Sequence, residues 1–230
     1  SVYDILRRSA ARHPQKPAIR QHSVSWSYDE FHTLCLGAAA GLVARGIRPG
    51  DRVAVLSRNS NAFAIARFAI AAAGAVLVPV NFMLNAQEAA YIVGHSEARL
   101  LLVGHTELDK ARAIVPQCSH LEGLVWLALD SPAPAGLDAF ADWVTAAPLA
   151  NPIAVESHSP AQIIYTSGTE SAPKGAVLSH SAVLWQYGSI LADAEVAGTD
   201  VMLHALPLFH CAQLDCFLGP SLHSGGSNII

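Results

Sequence analysis

Short, unbroken apolar runs recur along the chain between longer stretches with helical spacing. The runs at residues 52–56, 75–80, 100–103 and 124–127 predict strands. Between them, residues 59–73, 87–94 and 107–115 have the pattern of helices, the first opened by Asn59 or Ser60 as N-cap. A strand buried on both faces reads as a continuous apolar run, and alternation with helices gives a parallel sheet covered on each side. The expected architecture is therefore α/β, a layered α/β/α arrangement around a mainly parallel sheet.

The remaining pattern fills in around this core. Residues 2–12 form an amphipathic helical stretch stopped by His13-Pro14. Residues 18–20 and 24–26 alternate like paired strands around a turn at residues 21–23. Ser27 and Glu30 have the spacing of a capping box, opening a helix over residues 28–44 that closes at Gly46. The most hydrophobic stretch, residues 62–80, is interrupted by Arg67 and punctuated by Gly74 and Pro79. Its unbroken part is too short for a bilayer of about 30 Å, so it is read as a core helix followed by a buried strand. Residues 131–160, rich in proline and alanine, look like a surface excursion with one short helix near residues 137–144. Residues 162–166 then form a strand leading into the most informative part of the chain.

Composition changes the picture in a few respects. Of 230 residues, 52% are hydrophobic and 14% charged, against about 25% charged in an average soluble domain. The chain can bury a large core, and part of its surface is expected to pack against something outside it. The net charge of -4, with Arg7, Arg8 and Arg12 as the densest basic cluster, excludes a nucleic-acid footprint. Cys35, Cys118, Cys211 and Cys216 form no CxxC pair, which points to reduced thiols and a cytoplasmic setting. Nothing near Ser1 has the shape of a signal peptide.

Candidate chemistry concentrates in residues 165–180, YTSGTESAPKGAVLSH. A strand runs into a segment dense in hydroxyls and glycine, followed by a Pro-Lys-Gly turn. Small residues let backbone N–H groups converge on an anion. Thr166, Ser167, Thr169 and Ser171 add hydroxyl donors, and Lys174 adds a mobile positive charge. An ordinary exposed turn would have the same composition. A Walker-type loop is excluded, because Pro173 stands where its second glycine belongs and Gly175 follows the lysine.

The segment resembles the phosphate loop of the adenylate-forming superfamily, which includes acyl-CoA synthetases: [ST]-[ST]-G-[ST]-[ST]-G-x-P-K-G. Thr166, Ser167, Gly168, Thr169, Pro173, Lys174 and Gly175 fit it, while Glu170 and Ser171 replace a hydroxyl residue and a glycine. Glu170 beside a triphosphate must point outward, meet a basic group or help hold Mg²⁺. The likeness extends along the chain in order: Gly50-Asp51-Arg52-Val53-Ala54, Asn59, Gly74-Ala75-Val76, Pro79-Val80-Asn81, and Leu206-Pro207-Leu208-Phe209-His210.

The resemblance implies ATP-dependent activation of a small carboxylic acid, a fatty acid by default with aryl acids open, first to an acyl-adenylate and then to acyl-CoA. ATP, Mg²⁺ and CoA are the implied cosubstrates. The residues implied at the phosphates are Thr166, Ser167, Gly168, Thr169, Glu170, Ser171, Lys174 and Gly175; His210 would line the acyl pocket as the catalytic candidate, with Gln213 narrowing or polarising that pocket. His204 and His210 have a zinc-like spacing, but a pocket or core role competes and no metal site is assigned. The family's adenine, ribose and C-terminal lysine motifs do not occur, so the chain is expected to be an incomplete N-terminal domain, inactive without its C-terminal part. Residues 51–191 are expected to form one α/β subdomain, and residues 1–50 with 192–230 part of a second. A non-catalytic remnant or interaction module that keeps the fold is the competing reading.

Overall fold

The computed structural model describes residues 1–166 and 172–230, and their strands form two sheets. The N-terminal arm comprises α1 (Tyr3–Arg12), β1 (Pro17–Gln21), β2 (Val24–Ser27) and α2 (Tyr28–Ala44). β1 and β2 pair antiparallel, with Ile19 opposite Trp26. The capping box is formed: the Ser27 hydroxyl accepts from the Glu30 N–H, and the Glu30 carboxylate accepts from the Ser27 N–H.

Strand and helix then alternate: β3 (Arg52–Leu56), α3 (Asn61–Ala72), β4 (Val76–Val80), α4 (Ala86–His95), β5 (Leu100–Val103), α5 (Leu108–Ile114) and β6 (Gly123–Trp126). There follow β7 (Asp138–Ala139), α6 (Phe140–Val144), β8 (Pro160–Thr166), β9 (Lys174–Ser179) and α7 (His180–Asp193). Last come β10 (Val201–Leu203), a π-helical segment Ala212–Leu218 that runs straight into α8 (Gly219–Ser224), and β11 (Ser227–Ile229).

The larger sheet has the order β7-β6-β5-β3-β4-β8-β9 and is parallel except for β9. Its central strands β5, β3 and β4 are apolar at every position except Arg52, because both faces are covered. Val53 and Val55 of β3 face the core shared with α2 and α3, while Ala54 and Leu56 face α4 and α5. Each valine or leucine so withdrawn from water contributes about 1.5–3 kcal/mol. The smaller sheet, β10-β11-β1-β2, unites the two ends of the chain: β1 runs parallel to β11, with Ile19 opposite Asn228.

α3 lies in the helical layer and is buried from Ala62 through Ala72. A helix apolar all round is stable only where every side is covered. Phe68 meets Phe31 of α2 edge to face at 5.9 Å.

Two expectations are corrected. The short helix near residues 137–144 begins instead as β7, because Asp138 and Ala139 pair with Val125 and Trp126; only Phe140–Val144 is helical. Lys174 and Gly175 do not form a turn but open β9, which pairs antiparallel with β8 at the sheet edge. The sequence Lys-Gly-Ala-Val-Leu-Ser has no clean alternation to mark a strand, since β9 is exposed on much of both faces.

Candidate active site

β8 and β9 bracket the hydroxyl-rich segment. Their register sets Thr166 opposite Lys174 and Tyr165 opposite Gly175. Directly opposed residues of an antiparallel pair share a face, so the Thr166 hydroxyl and the Lys174 ammonium stand on one side of the stem. Both residues are exposed. Ser167, Gly168, Thr169, Glu170 and Ser171 lie outside the described residues.

Gly175 has a local reason to be glycine. A Cβ there would sit 2.9 Å from Ile163 Cγ2 and 3.1 Å from Tyr165 Cζ, so the tyrosine ring lies across the glycine. The Tyr165 hydroxyl meets His95 Nδ1 at 2.7 Å, and His95 stacks on Tyr91 at 5.3 Å. Burial, with the neighbouring Tyr91, raises the Tyr165 pKa above its ordinary value. The end of β8 is thus tied to the last turn of α4. Sequence reasoning gives His95 no role; its spacing from Tyr91 along one helix face is the signal that was available.

His210 closes a pinned loop. Asn59 donates through Nδ2 to the carbonyls of Leu206 at 2.8 Å and His204 at 3.1 Å, and its Oδ1 accepts from the Leu208 N–H at 2.7 Å. Asn59 is therefore a clamp on this loop, while Ser60 caps α3. The Leu208 side chain is fully buried beneath the loop. Phe209 meets Phe82 edge to face at 5.3 Å. His210 is exposed, and its Nδ1 accepts from the Ala212 N–H at 3.1 Å. With Nδ1 used as the acceptor, Nε2 is the ring nitrogen left to donate to a carboxylate or phosphate oxygen.

Gln213 is buried and does not present itself to an open pocket. Its Nε2 meets His204 Nδ1 at 2.5 Å, and its Oε1 accepts from the Leu206 N–H at 3.0 Å. His204 Nε2 in turn meets Asn228 Oδ1 at 2.9 Å. Burial lowers the His204 pKa. Gln213 and Asn228 thus account for both ring nitrogens of His204.

A second buried polar group joins the two regions. Asp215 accepts from Gln162 Nε2 at 2.6 Å and from the Tyr187 hydroxyl at 3.0 Å, and Arg67 Nη2 lies 3.5 Å from its Oδ1. All four side chains are buried. Burial, followed by the Asp215 charge, raises the Tyr187 pKa, which keeps its hydroxyl a donor. Gln162 belongs to the strand that delivers Thr166, and Asp215 to the helical turn that follows His210.

Elsewhere, a cleft of about 670 Å³ opens beyond the carboxyl ends of β3, β5 and β6, against the β1–β2 turn. Trp26, Arg58, His105 and Asp130 line it, and none of the described residues among the sequence-predicted site residues does. Among the described residues no group of three His, Cys, Asp or Glu side chains could hold a metal ion, and no helix is long and apolar enough to cross a membrane.

Residues 6–230 match the family model described as AMP-binding enzyme. A feruloyl-CoA synthase from an Amycolatopsis species is 34% identical over 226 residues, covering 97% of this chain and 42% of the relative. A long-chain-fatty-acid–CoA ligase from Thermus thermophilus is 33% identical over 216 residues, covering 91% of this chain and 39% of the relative. The chain thus spans about two fifths of the length of these relatives. Among solved structures, the ATP-bound form of MatB from Rhodopseudomonas palustris superposes with a TM-score of 0.84 at 26% identity, covering 99% of this chain and 45% of that one. The inhibitor-bound N-terminal domain of FACL13 from Mycobacterium tuberculosis gives 0.84 at 29% identity, covering 99% and 56%.

Proposed function

This chain belongs to the AMP-binding enzyme family, and from that premise we propose that the full-length protein activates a carboxylic acid with ATP and passes the acyl group to CoA. In the first step a carboxylate oxygen attacks the α-phosphorus of ATP; the bond to the β-phosphate bridge breaks and pyrophosphate leaves. In the second, the CoA thiol sulfur attacks the acyl carbon, its proton goes to solvent or a base, and AMP leaves. The relatives' names include a feruloyl-CoA synthase and a fatty-acid–CoA ligase, and we take a fatty acid as the substrate class. Mg²⁺ accompanies the triphosphate as part of the substrate.

The observation that carries the reading is the register of the stem: Thr166 stands opposite Lys174 where the hydroxyl-rich segment leaves and rejoins the sheet. In this reading Thr166, Ser167, Gly168, Thr169, Ser171, Lys174 and Gly175 bind the β- and γ-phosphates, with Glu170 turned away from them or paired with a basic group. Lys174 neutralises charge that grows on the departing pyrophosphate, which is electrostatic stabilisation of an in-line displacement. His210 donates from Nε2 to the reacting carboxylate and holds its angle of approach. In this reading residues 51–191 form one subdomain and residues 1–50 with 192–230 part of a second, and turnover needs a segment from the part of the relatives' length that this chain does not span.

The test is carboxylate-dependent exchange of pyrophosphate into ATP by the full-length protein, over a panel of fatty and aryl acids. Exchange is expected with the wild-type and not with residues 1–230 alone. Lys174→Ala should weaken Mg-ATP binding by about 10- to 100-fold, the value of a hydrogen bond to a charged group. An intact protein that exchanges nothing across the panel would instead be a binding module that kept the fold.

A further inference from the structure

Asp215 stands in the middle of the π-helical segment Ala212–Leu218 and is completely buried. Three other elements reach it: α7 and β8 donate hydrogen bonds through Tyr187 and Gln162, and α3 places the Arg67 guanidinium 3.5 Å away. Arg67 is the single charged residue in the whole of residues 61–80. A buried ion pair of this kind is a poor investment in stability, because apolar side chains of similar volume in its place are often neutral or stabilising. What it does supply is register, since its three partners come from three separate elements.

The surroundings are built for that register. Gly219, the first residue of α8, leaves room for the Tyr187 ring: a Cβ there would sit 2.1 Å from its Cζ. On the next position along, Cys216 Sγ accepts from Gln186 Nε2 at 3.3 Å, a second tie to α7. Gln213 fastens the same helical segment to the Leu206 loop. A π-helix is strained relative to an α-helix and persists where side-chain contacts hold it, often beside functional groups. Releasing Asp215 would let the segment close to α-helical spacing and turn His210 relative to β8.

We propose that Asp215 is a positioning residue: together with Arg67, Tyr187 and Gln162 it locks the π-helical register, and so fixes where His210 stands relative to the strand that enters the phosphate segment. The roles of those two places rest on the adenylation reading above; the locking itself does not.

The experiment uses the full-length protein and the double variant Arg67→Met with Asp215→Leu, which removes both charges and fills the space. Its thermal midpoint should fall only modestly, because the charges leave together while the Tyr187 hydroxyl and the Gln162 amide lose their acceptor. Its kcat for pyrophosphate exchange should nevertheless fall about 100-fold, the cost of misplacing a reacting group by an ångström. The KM for the acid should rise, while the Kd for Mg-ATP stays the same. Asp215→Glu, which keeps the charge, should recover part of kcat. Hydrogen exchange of the apo protein supplies a readout without turnover: amides of residues 212–218 should exchange several-fold faster in the double variant. Unchanged exchange of those amides overturns the proposal, and so does a double variant that keeps both kcat and KM. If the wild-type itself shows no pyrophosphate exchange, the adenylation reading falls, and the amide rates still decide the locking. If the double variant fails to fold, Tyr187→Phe with Gln162→Leu replaces it, with the same expectations.

Discussion

α3, buried along its length, and the π-helical segment Ala212–Leu218, buried at its centre, are held by opposite means. Past Asn61 at its start, α3 is apolar on every side but for Arg67, and its partners are interchangeable hydrocarbon surfaces. The π-helical segment has polar side chains at its centre, and each has an assigned partner: Gln213 with His204 and the Leu206 N–H, Asp215 with Gln162, Tyr187 and Arg67. Apolar packing fills a volume and tolerates swaps that conserve it, whereas a polar network depends on particular atoms at particular angles. The contrast explains why one helix takes the commonest geometry and the other does not.

The largest effects test this contrast directly. Phe63→Ala in α3 and Asp215→Ala should each cost about 3–5 kcal/mol, the first by leaving a cavity and the second by stranding the buried Arg67 charge. They should part company on a second change. Adding Arg67→Met to Asp215→Ala should recover much of the loss, while adding it to Phe63→Ala should deepen the loss by stranding the Asp215 charge. Urea midpoints of the four proteins decide it, and equal recovery in both backgrounds would erase the distinction.

A smaller effect concerns pH. His180 heads α7, accepts from the Val2 N–H at 3.1 Å, and is fully buried. Burial first, then the terminal amine and Arg67, hold its pKa down from 6.5 to about 4, with Asp4 acting weakly the other way. The unfolded chain takes up a proton near pH 6.5 and the folded one only near 4, so stability is lost as pH falls through that window. The loss from His180 is on the order of 3 kcal/mol at its full extent. His32, His204 and His223 are also lowered by burial and act in the same direction. His180→Gln should flatten the fall in thermal midpoint between pH 6.5 and 4.5; an equally steep fall in that variant would locate the effect elsewhere. The smallest effect belongs to the regular part of the fold. Ser27→Ala removes half of the capping box and should cost about 1 kcal/mol at any pH in this range.

The same contrast governs what could be read from the sequence. β3 and β5 match their predicted bounds because their apolar runs carry the signal by themselves. The Ser27–Glu30 box and the break at Gly46 mark α2 for the same local reason. The stem of the candidate phosphate segment was legible at β8 but not at β9, whose residues take their conformation from pairing with β8. His210 could be singled out from its motif, yet nothing in its neighbourhood announced a π-helix. That geometry comes from Gln162, Arg67 and Tyr187, which are distant in sequence and individually unremarkable. Arg67 was visible only as an interruption in an apolar run. Its meaning required Asp215 beside it.

The π-helical segment also limits how this part of the chain can vary. A substitution at a surface position such as Phe217, which is 39% exposed, alters one side chain and leaves the others where they were. Deleting any one residue between Cys211 and Gly219 would rotate everything on one side of the cut by about 100° relative to the other. Gln213 and Asp215 could then no longer meet their partners together. In this stretch the identity of a residue is negotiable, but the number of residues is not.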